Sequence, residues 1–324
     1  MRNATALNAT ALGATFGTIT GLAWGGQFVI GAAALHRVDA LPLTTLRYAL
    51  ASALLLALLW LREGRPALRL EGRGVRLFWL GTLGFAGFNL LAYTGLAHAR
   101  PQSASLIVAL APLVTALVLW RRTRVRPSAA TFGFLALALT GVALVISGGH
   151  PTTIVNGSIG WGDALVLGGV VSFVIYGLGA ARHHEFSPLR YTALTAALGW
   201  LSIAAVTVVA TAAGFVLRPS AADVWAVSPH ILYLAIPGAV IGVLTWNGSI
   251  RLIGPQNAVL FGNLIPVTTF AIETVRGYRP GIVELGGAAL TITALVASNL
   301  YARRSAKVPV RPIAVEQEGL AQAA

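Results

Sequence analysis

The sequence predicts an all-α polytopic membrane protein, with ten transmembrane helices arranged as an inverted five-plus-five repeat. Three observations lead to this prediction. Only 10% of the 324 residues are charged and 56% are hydrophobic, whereas a soluble domain carries about 25% charged residues. The apolar residues form ten stretches of about 20 residues, the length that crosses the hydrocarbon core of a bilayer. Two segments 154 residues apart also share a pattern of prolines and polar residues.

The composition excludes several classes of protein. The chain has no Cys, which excludes disulfides, thiol catalysis and Cys-based metal sites. Its single Lys is Lys307, so the GK[ST] end of a phosphate-binding loop cannot be formed and we expect no ATP site. We therefore predict no cofactor, no metal and no catalytic residue. The net charge of +13 comes from arginines divided among short loops, so we expect no nucleic-acid partner.

The predicted helices follow the stretches that are nearly free of charged residues, and Arg47 alone interrupts the second. They cover residues 12–34, 42–61, 77–97, 103–120, 130–147, 161–181, 188–212, 230–250, 257–275 and 281–302. Trp60, Trp79 and Trp120 lie near predicted helix ends, where indole rings favour the membrane interface. The connections are short, which leaves no room for a second, soluble domain.

The distribution of basic residues predicts the orientation. Of the 23 Lys and Arg residues, 17 fall in segments on one side of the ten helices and five on the other. Cytoplasmic loops carry the excess of Lys and Arg. We therefore expect a multi-pass protein of the cell inner membrane whose two termini both lie in the cytoplasm. Membrane lipid is expected to surround its helices.

The chain contains an internal duplication. Pro101–Pro112 and Pro255–Pro266 align without gaps and share two Pro, one Gln, one Ala and two Leu. A weaker match pairs Phe28–Ile30 with Phe173–Ile175. Five helices per repeat is an odd number, so the second copy enters the membrane from the opposite side. We predict a first repeat at 1–150, a second at 151–304 and a cytoplasmic tail at 305–324.

Polar and aromatic residues near the middle of five predicted helices are the candidate binding residues. A polar group in hydrocarbon costs several kcal/mol unless it is satisfied, so such side chains tend to face the bundle interior. We predict that they line one central substrate cavity, although each could instead form a hydrogen bond between helices. They are Trp24, Gln27, Phe28, Asn89, Tyr93, Ser172, Tyr176, Trp246, Asn247 and Asn263.

Three further residues are candidates for gating. Pro112 and Pro266 are duplicated and interrupt the helical hydrogen-bond ladder, so they are predicted hinges, with static kinks as the alternative. Arg47 is predicted to act as a carboxylate clamp or gate. The alternative for Arg47 is a side chain that extends to the outer interface.

The predicted cavity indicates the chemistry of its solute. Inverted repeats are a transporter architecture with the site near the midplane. Amides and hydroxyls both donate and accept, which suits a zwitterion, and aromatic faces attract an ammonium group. No carboxylate lies at mid-depth, so a neutral or zwitterionic metabolite is compatible with the site. A passive channel would not need duplicated prolines. A membrane-embedded enzyme or lipid-handling protein is the alternative from another class. The predicted helices contain no pair of acids, no His–acid pair and no metal-ligand spacing, which argues against an enzyme.

The repeated segments resemble a known family. Thr245–Val267 resembles the second EamA repeat of the drug/metabolite transporter superfamily, and Tyr93–Leu113 resembles the first. Within that superfamily the pattern, including Trp246-Asn247, is similar to the YddG amino-acid exporters. The resemblance implies a secondary transporter, not an enzyme, that exports amino acids, aromatic ones among them, by alternating access. A carrier for sugars, nucleobases or drugs of the same superfamily is the alternative.

Overall fold

The architecture is all-helical. A computed structural model describes residues 2–124, 126–148, 150, 160–180, 185–253 and 258–306, and these ranges contain no β-strand. The helices are α1 (Arg2–Leu35), α2 (Ala40–Glu63), α3 (Gly74–Gly81), α4 (Phe88–Leu96), α5 (Pro101–Ala109), α6 (Ala111–Thr123), α7 (Ala129–Ser147), α8 (Trp161–Ala180), α9 (Pro188–Ala212), α10 (Ala221–Ala226), α11 (Ser228–Tyr233), α12 (Gly242–Ile253), α13 (Leu264–Val275) and α14 (Ile282–Ala306). The predicted tail lies outside the described residues from residue 307 onward.

Most of the predicted transmembrane helices are present at the expected places. Eight helical stretches in the described part of the chain are long and apolar enough to cross a membrane. The consecutive helices α5 and α6 make a ninth if they are one span, because they are bent by 45° at Leu110. The all-helical, multi-span prediction is therefore confirmed.

The count of ten spans is not confirmed. In the region of the predicted helix 257–275, a 3₁₀ turn at Val259–Asn263 precedes α13, which has only 12 residues. Residues 254–257, including Pro255 and Gln256 of the repeated motif, lie outside the described ranges. The physical reason for the shorter helix is this change from 3₁₀ to α-helical hydrogen bonding, which sequence hydrophobicity does not reveal.

The two duplicated prolines lie beside these irregular turns. Pro112 is in the first turn of α6, directly after the 45° bend. Proline has no N–H to donate to the preceding turn, which is consistent with a helix break at this point. Pro266 is buried in the first turn of α13, just after the 3₁₀ turn. That either proline acts as a hinge stays a prediction.

Two π-helical stretches occupy matching places in the two halves. Thr82–Gly87 connects α3 to α4, and Leu234–Ile241 connects α11 to α12. Such π-helical segments often mark functional sites. Side chains of neighbouring helices donate to carbonyls at these stretches: Ser172 Oγ to Leu83 O at 2.7 Å and Trp24 Nε1 to Gly238 O at 2.9 Å.

The helix pairs repeat between the halves. Helix α1 packs against α12. The helices that correspond to these two in the other half, α8 and α4, also pack against each other. Three further packed pairs each join corresponding helices of the two halves: α2 with α9, α5 with α13 and α7 with α14. Glycine allows the close contact between α7 and α14, because a Cβ on Gly141 would lie only 2.5 Å from the Gly287 carbonyl oxygen.

Candidate functional site

A central cavity of about 140 Å³ lies where seven helical stretches of the chain converge. Its wall is largely apolar and aromatic, with amide groups and one phenol hydroxyl among the lining residues. The lining residues are Trp24, Gln27, Phe28, Tyr48, Gly84, Phe85, Phe88, Asn89, Val108, Ala109, Ala111, Pro112, Val170, Phe173, Gly238, Ala239, Val243, Trp246, Gly262, Asn263 and Ile265. A concave, mostly apolar site with a few polar groups is the usual form of a small-molecule site.

The two halves contribute to this cavity at equivalent positions. With the 154-residue offset of the repeated motif, six lining residues of the first half have lining counterparts in the second. These pairs are Gly84 with Gly238, Phe85 with Ala239, Asn89 with Val243, Val108 with Gly262, Ala109 with Asn263 and Ala111 with Ile265. The chemistry of the two halves is not symmetric, because Asn89 corresponds to Val243 in the second repeat and Asn263 corresponds to Ala109 in the first. Each half therefore adds one amide at a place where the other half has an aliphatic side chain.

One wall of the cavity is formed by two indole rings. The ring centroids of Trp24 and Trp246 lie 5.6 Å apart and the rings are tilted by 40°. Trp24 is held in place, because its Nε1 donates to Gly238 O at 2.9 Å. A Cβ at Gly242 would lie 2.5 Å from that nitrogen, so glycine is needed to seat the ring. These rings give a flat apolar surface for a solute.

Two amide side chains of the cavity wall have polar atoms that form no hydrogen bond with the described residues. Asn263 is 8% exposed, and its Nδ2 has no hydrogen-bond partner. Gln27 lines the cavity as well, and no protein group of the described residues forms a hydrogen bond with its side chain. Buried amides are normally satisfied. An unpaired amide at a cavity surface is therefore placed to bind a solute or water.

The part of the wall formed by Tyr48 and Asn89 is backed by a buried arginine. Arg47 is 1% exposed, and its Nη1 donates to the Tyr93 hydroxyl at 2.6 Å. Its Nη2 donates to Asn89 Oδ1. The guanidinium carbon lies 4.0 Å from the Tyr93 ring centroid and 4.9 Å from that of Tyr48. The side chain therefore points into the bundle rather than to the outer interface.

The cavity collects seven of the thirteen residues that the sequence singled out. These are Trp24, Gln27, Phe28, Asn89, Pro112, Trp246 and Asn263. The other six, Arg47, Tyr93, Ser172, Tyr176, Asn247 and Pro266, do not line it. The roles of all thirteen in binding and gating stay predictions.

The polar residues away from the cavity have protein partners. Ser172 donates to Leu83 O, and Asn247 Nδ2 donates to Thr192 Oγ1 at 3.4 Å, each between neighbouring helices. The Tyr176 hydroxyl lies 3.3 Å from Thr195 Oγ1. These contacts match the alternative that polar side chains hydrogen-bond helices together.

Sequence reasoning missed four ring side chains of the cavity wall: Tyr48, Phe85, Phe88 and Phe173. Two of them carried a signal. Phe173 belongs to the match between Phe28–Ile30 and Phe173–Ile175, and Tyr48 follows the one arginine that interrupts a predicted helix. Phe85 and Phe88 cannot be told from ordinary packing residues by sequence.

Long apolar helices around an internal cavity define a multi-pass membrane protein with room for a small solute. The sequence profile of the EamA-like transporter family matches residues 11–147 and 160–300. The chain belongs to this family and is therefore a transporter of the drug/metabolite transporter superfamily. The resemblance seen in the repeated segments is confirmed.

Relatives and a solved structure agree with this assignment. The chain is 29% identical over 301 residues to the uncharacterized transporter YrdR of Bacillus subtilis, covering 90% of this chain and 92% of that protein. It is 32% identical over 256 residues to the uncharacterized transporter YyaM of the same organism, covering 78% and 82%. It is 26% identical over 242 residues to a probable terminal-alkyne amino-acid exporter of Streptantibioticus cattleyicolor, covering 71% and 76%. A protein crystal structure at 22% identity shares the fold, with a TM-score of 0.61 over 92% of this chain and 99% of that one.

Proposed function

We propose that the chain exports small metabolites, and amino acids in particular, across the cell inner membrane by alternating access. The observation that carries the proposal is the central cavity, which two matching sets of residues line and which combines paired indoles with unpaired amides. Amides can hold both ends of a zwitterion, and the indole faces suit an ammonium group or an aromatic side chain. One relative, a probable terminal-alkyne amino-acid exporter, supports the same substrate class.

The proposal includes ten spans in two inverted repeats, residues 1–150 and 151–304, with a cytoplasmic tail at 305–324. The family profile matches each half, which supports a duplication. The matching π-helical stretches and the repeated helix pairs support a two-fold relation between the halves. Alternating access is the established use of such an arrangement, because the two halves can exchange conformations. The excess of arginines on one side supports cytoplasmic termini.

Ion pairs between the halves lie at both ends of the bundle. At the end that we assign to the outside, Arg100 pairs with Glu284, which also accepts a hydrogen bond from Tyr278. Burial raises the pKa of Tyr278 to about 12, so this hydroxyl keeps its proton at neutral pH. At the opposite end, Arg190 pairs with Glu71 at 2.7 Å. A transporter that opens alternately must break such contacts at one end while keeping those at the other.

The proposal is tested with purified protein in liposomes. We expect uptake of labelled L-phenylalanine into protein-containing vesicles and none into protein-free vesicles, with weaker or no flux of sugars, nucleobases and cationic drugs. Flux of one of these other solutes without amino-acid flux would leave a transporter of the same superfamily but contradict the substrate class. Hydrolytic or lipid-modifying activity with no flux of any solute would contradict the whole proposal. Repeating the assay with and without a pH gradient separates proton antiport from facilitated diffusion.

A further inference from the structure

The charge of Arg47 has no acidic partner within the described part of the chain. The ten acidic residues of the sequence include Glu316 and Glu318, which lie beyond the described residues. The other eight lie within about one turn of a helix end or outside the helices, and the ion pairs among them involve other arginines. Arg47 instead contacts the neutral groups Tyr93 and Asn89. A guanidinium stays protonated in a protein, so this part of the bundle carries a buried, uncompensated positive charge.

A chain of hydrogen bonds leads from this charge to the cavity. The Asn89 carbonyl oxygen accepts from Arg47, and its Nδ2 donates to the Tyr48 hydroxyl at 3.0 Å and to Phe85 O at 2.8 Å. Both N–H donors of Asn89 and one lone pair of its oxygen are therefore used by protein groups. Because the Tyr48 oxygen accepts from Asn89, its own proton remains to be donated. Tyr48 lines the cavity, and no acceptor for that proton is found among the described residues.

A further donor near the same charge is unused. Arg47 Nε is buried and has no hydrogen-bond partner. A buried N–H of a charged group without an acceptor is costly, and such groups are normally satisfied. The cavity wall thus offers a phenol proton, and behind it lies a buried positive charge with one unused N–H; no acidic residue of the described ranges pairs with this charge. This combination fits an anionic oxygen ligand.

We propose that Arg47, Asn89 and Tyr48 form a carboxylate subsite, so that the transported solute must carry a carboxylate group. The inference rests on the proposed function. It assigns one end of the proposed solute site to the carboxylate and the other end to the apolar part of the solute. The carboxylate accepts the Tyr48 proton and provides the missing counter-charge for Arg47. The apolar part of the solute contacts the indole wall of Trp24 and Trp246, which lines the same cavity. Arg47 is a positioning residue in this arrangement, since it acts through Tyr48 and Asn89.

The subsite predicts selectivity for the acid over its amide. The two probes have nearly the same shape, but only the acid can compensate the Arg47 charge. The experiment measures binding to the purified full-length protein in detergent by isothermal titration calorimetry. Its two probe pairs are L-phenylalanine with L-phenylalaninamide and 3-phenylpropionate with 3-phenylpropionamide. We expect the wild-type protein to bind the acid of at least one pair roughly 10-fold or more tightly than its amide, which is the usual worth of a hydrogen bond to a charged group.

Two variants with matched controls locate this selectivity. Arg47→Gln is expected to bring the acid-to-amide ratio close to 1, and Tyr48→Phe to lower it by about 10-fold. The exposed Arg62→Gln and the 38% exposed Tyr301→Phe are expected to leave the ratio unchanged. Tyr48→Phe keeps the ring and thus tests the proposal even if Arg47→Gln does not fold. A wild-type ratio that both variants preserve would place the carboxylate site elsewhere and overturn the inference.

The outcomes separate this inference from the proposed function. Equal binding of acids and amides by the wild-type protein, or no binding of either acid, overturns the carboxylate subsite whatever is transported. Flux of amino acids in liposomes would then still stand. Binding of 3-phenylpropionate with the expected ratio, together with no binding or flux of L-phenylalanine, would support the subsite and contradict amino-acid export.

Discussion

Replacing Trp246 by Ala is expected to lower amino-acid flux in liposomes roughly 30-fold, which corresponds to about 2 kcal/mol of lost solute binding. The indole of Trp246 lies 5.6 Å from that of Trp24 and forms part of the cavity wall. Buried aromatic anchors in a site of this kind carry much of the binding energy. Alanine removes the ring face from the wall and admits water in its place, so the solute loses both contact area and shape complementarity.

A second tryptophan provides the control for this experiment. Trp225 lies in the short helix α10 and is 80% exposed, so Trp225→Ala should retain wild-type flux. Flux is compared per molecule of protein that elutes as a single species from a sizing column, which separates a binding defect from misfolding. Wild-type flux in a well-folded Trp246→Ala variant would show that this ring does not contact the solute.

Replacing Gly141 by Ala is expected to destabilise the protein by about 1–3 kcal/mol, the usual cost of overpacking. Alanine at a helical glycine normally stabilises a helix by up to about 1 kcal/mol. Here the sign reverses, because a Cβ at Gly141 would lie 2.5 Å from the Gly287 carbonyl oxygen and 2.8 Å from the Thr291 nitrogen. Both atoms belong to the backbone of α14 and cannot rotate away as a side chain can. The steric clash is therefore relieved only if α7 and α14 move apart.

The same helix supplies the matched control. A Cβ at Gly133 would meet no atom within 4 Å, so Gly133→Ala should leave the melting temperature unchanged or raise it slightly. The measurement is thermal unfolding of both variants in the same detergent. Equal melting temperatures for the two variants would contradict the close packing of α7 against α14.

The positions of the long helices were predictable because a transmembrane helix is a continuous stretch of about 20 apolar residues, which can be recognised without knowing its neighbours in the fold. The expected helix 42–61 corresponds to a span at Ala40–Glu63, and the expected helix 281–302 to one at Ile282–Tyr301. The same local pattern placed Trp24, Gln27 and Phe28 on one helix face, and all three line the cavity. Side chains three and four residues apart share a face whatever the rest of the fold does.

The remaining features depend on partners that are distant in sequence. Arg47 could equally have extended to the interface, and only Asn89 and Tyr93, more than 40 residues away, hold it inside. Ser172 lies near the middle of its helix like the cavity residues, yet it bonds to the Leu83 carbonyl. The direction of such side chains is set by which helices are neighbours, and that information is not present in one helix.

Cysteine accessibility tests the central claim most directly: one solute cavity reached in turn from both faces of the membrane. The natural chain has no Cys, so a single Ala109→Cys in the cavity wall would be the only reactive thiol. We expect a membrane-impermeant thiol reagent to label this variant in liposomes when added on either side, and L-phenylalanine to slow the labelling from both sides. Ala138→Cys, which is fully buried outside the cavity, should remain unlabelled. Labelling of Ala109→Cys from one side only, at a rate that no amino acid changes, would contradict the account.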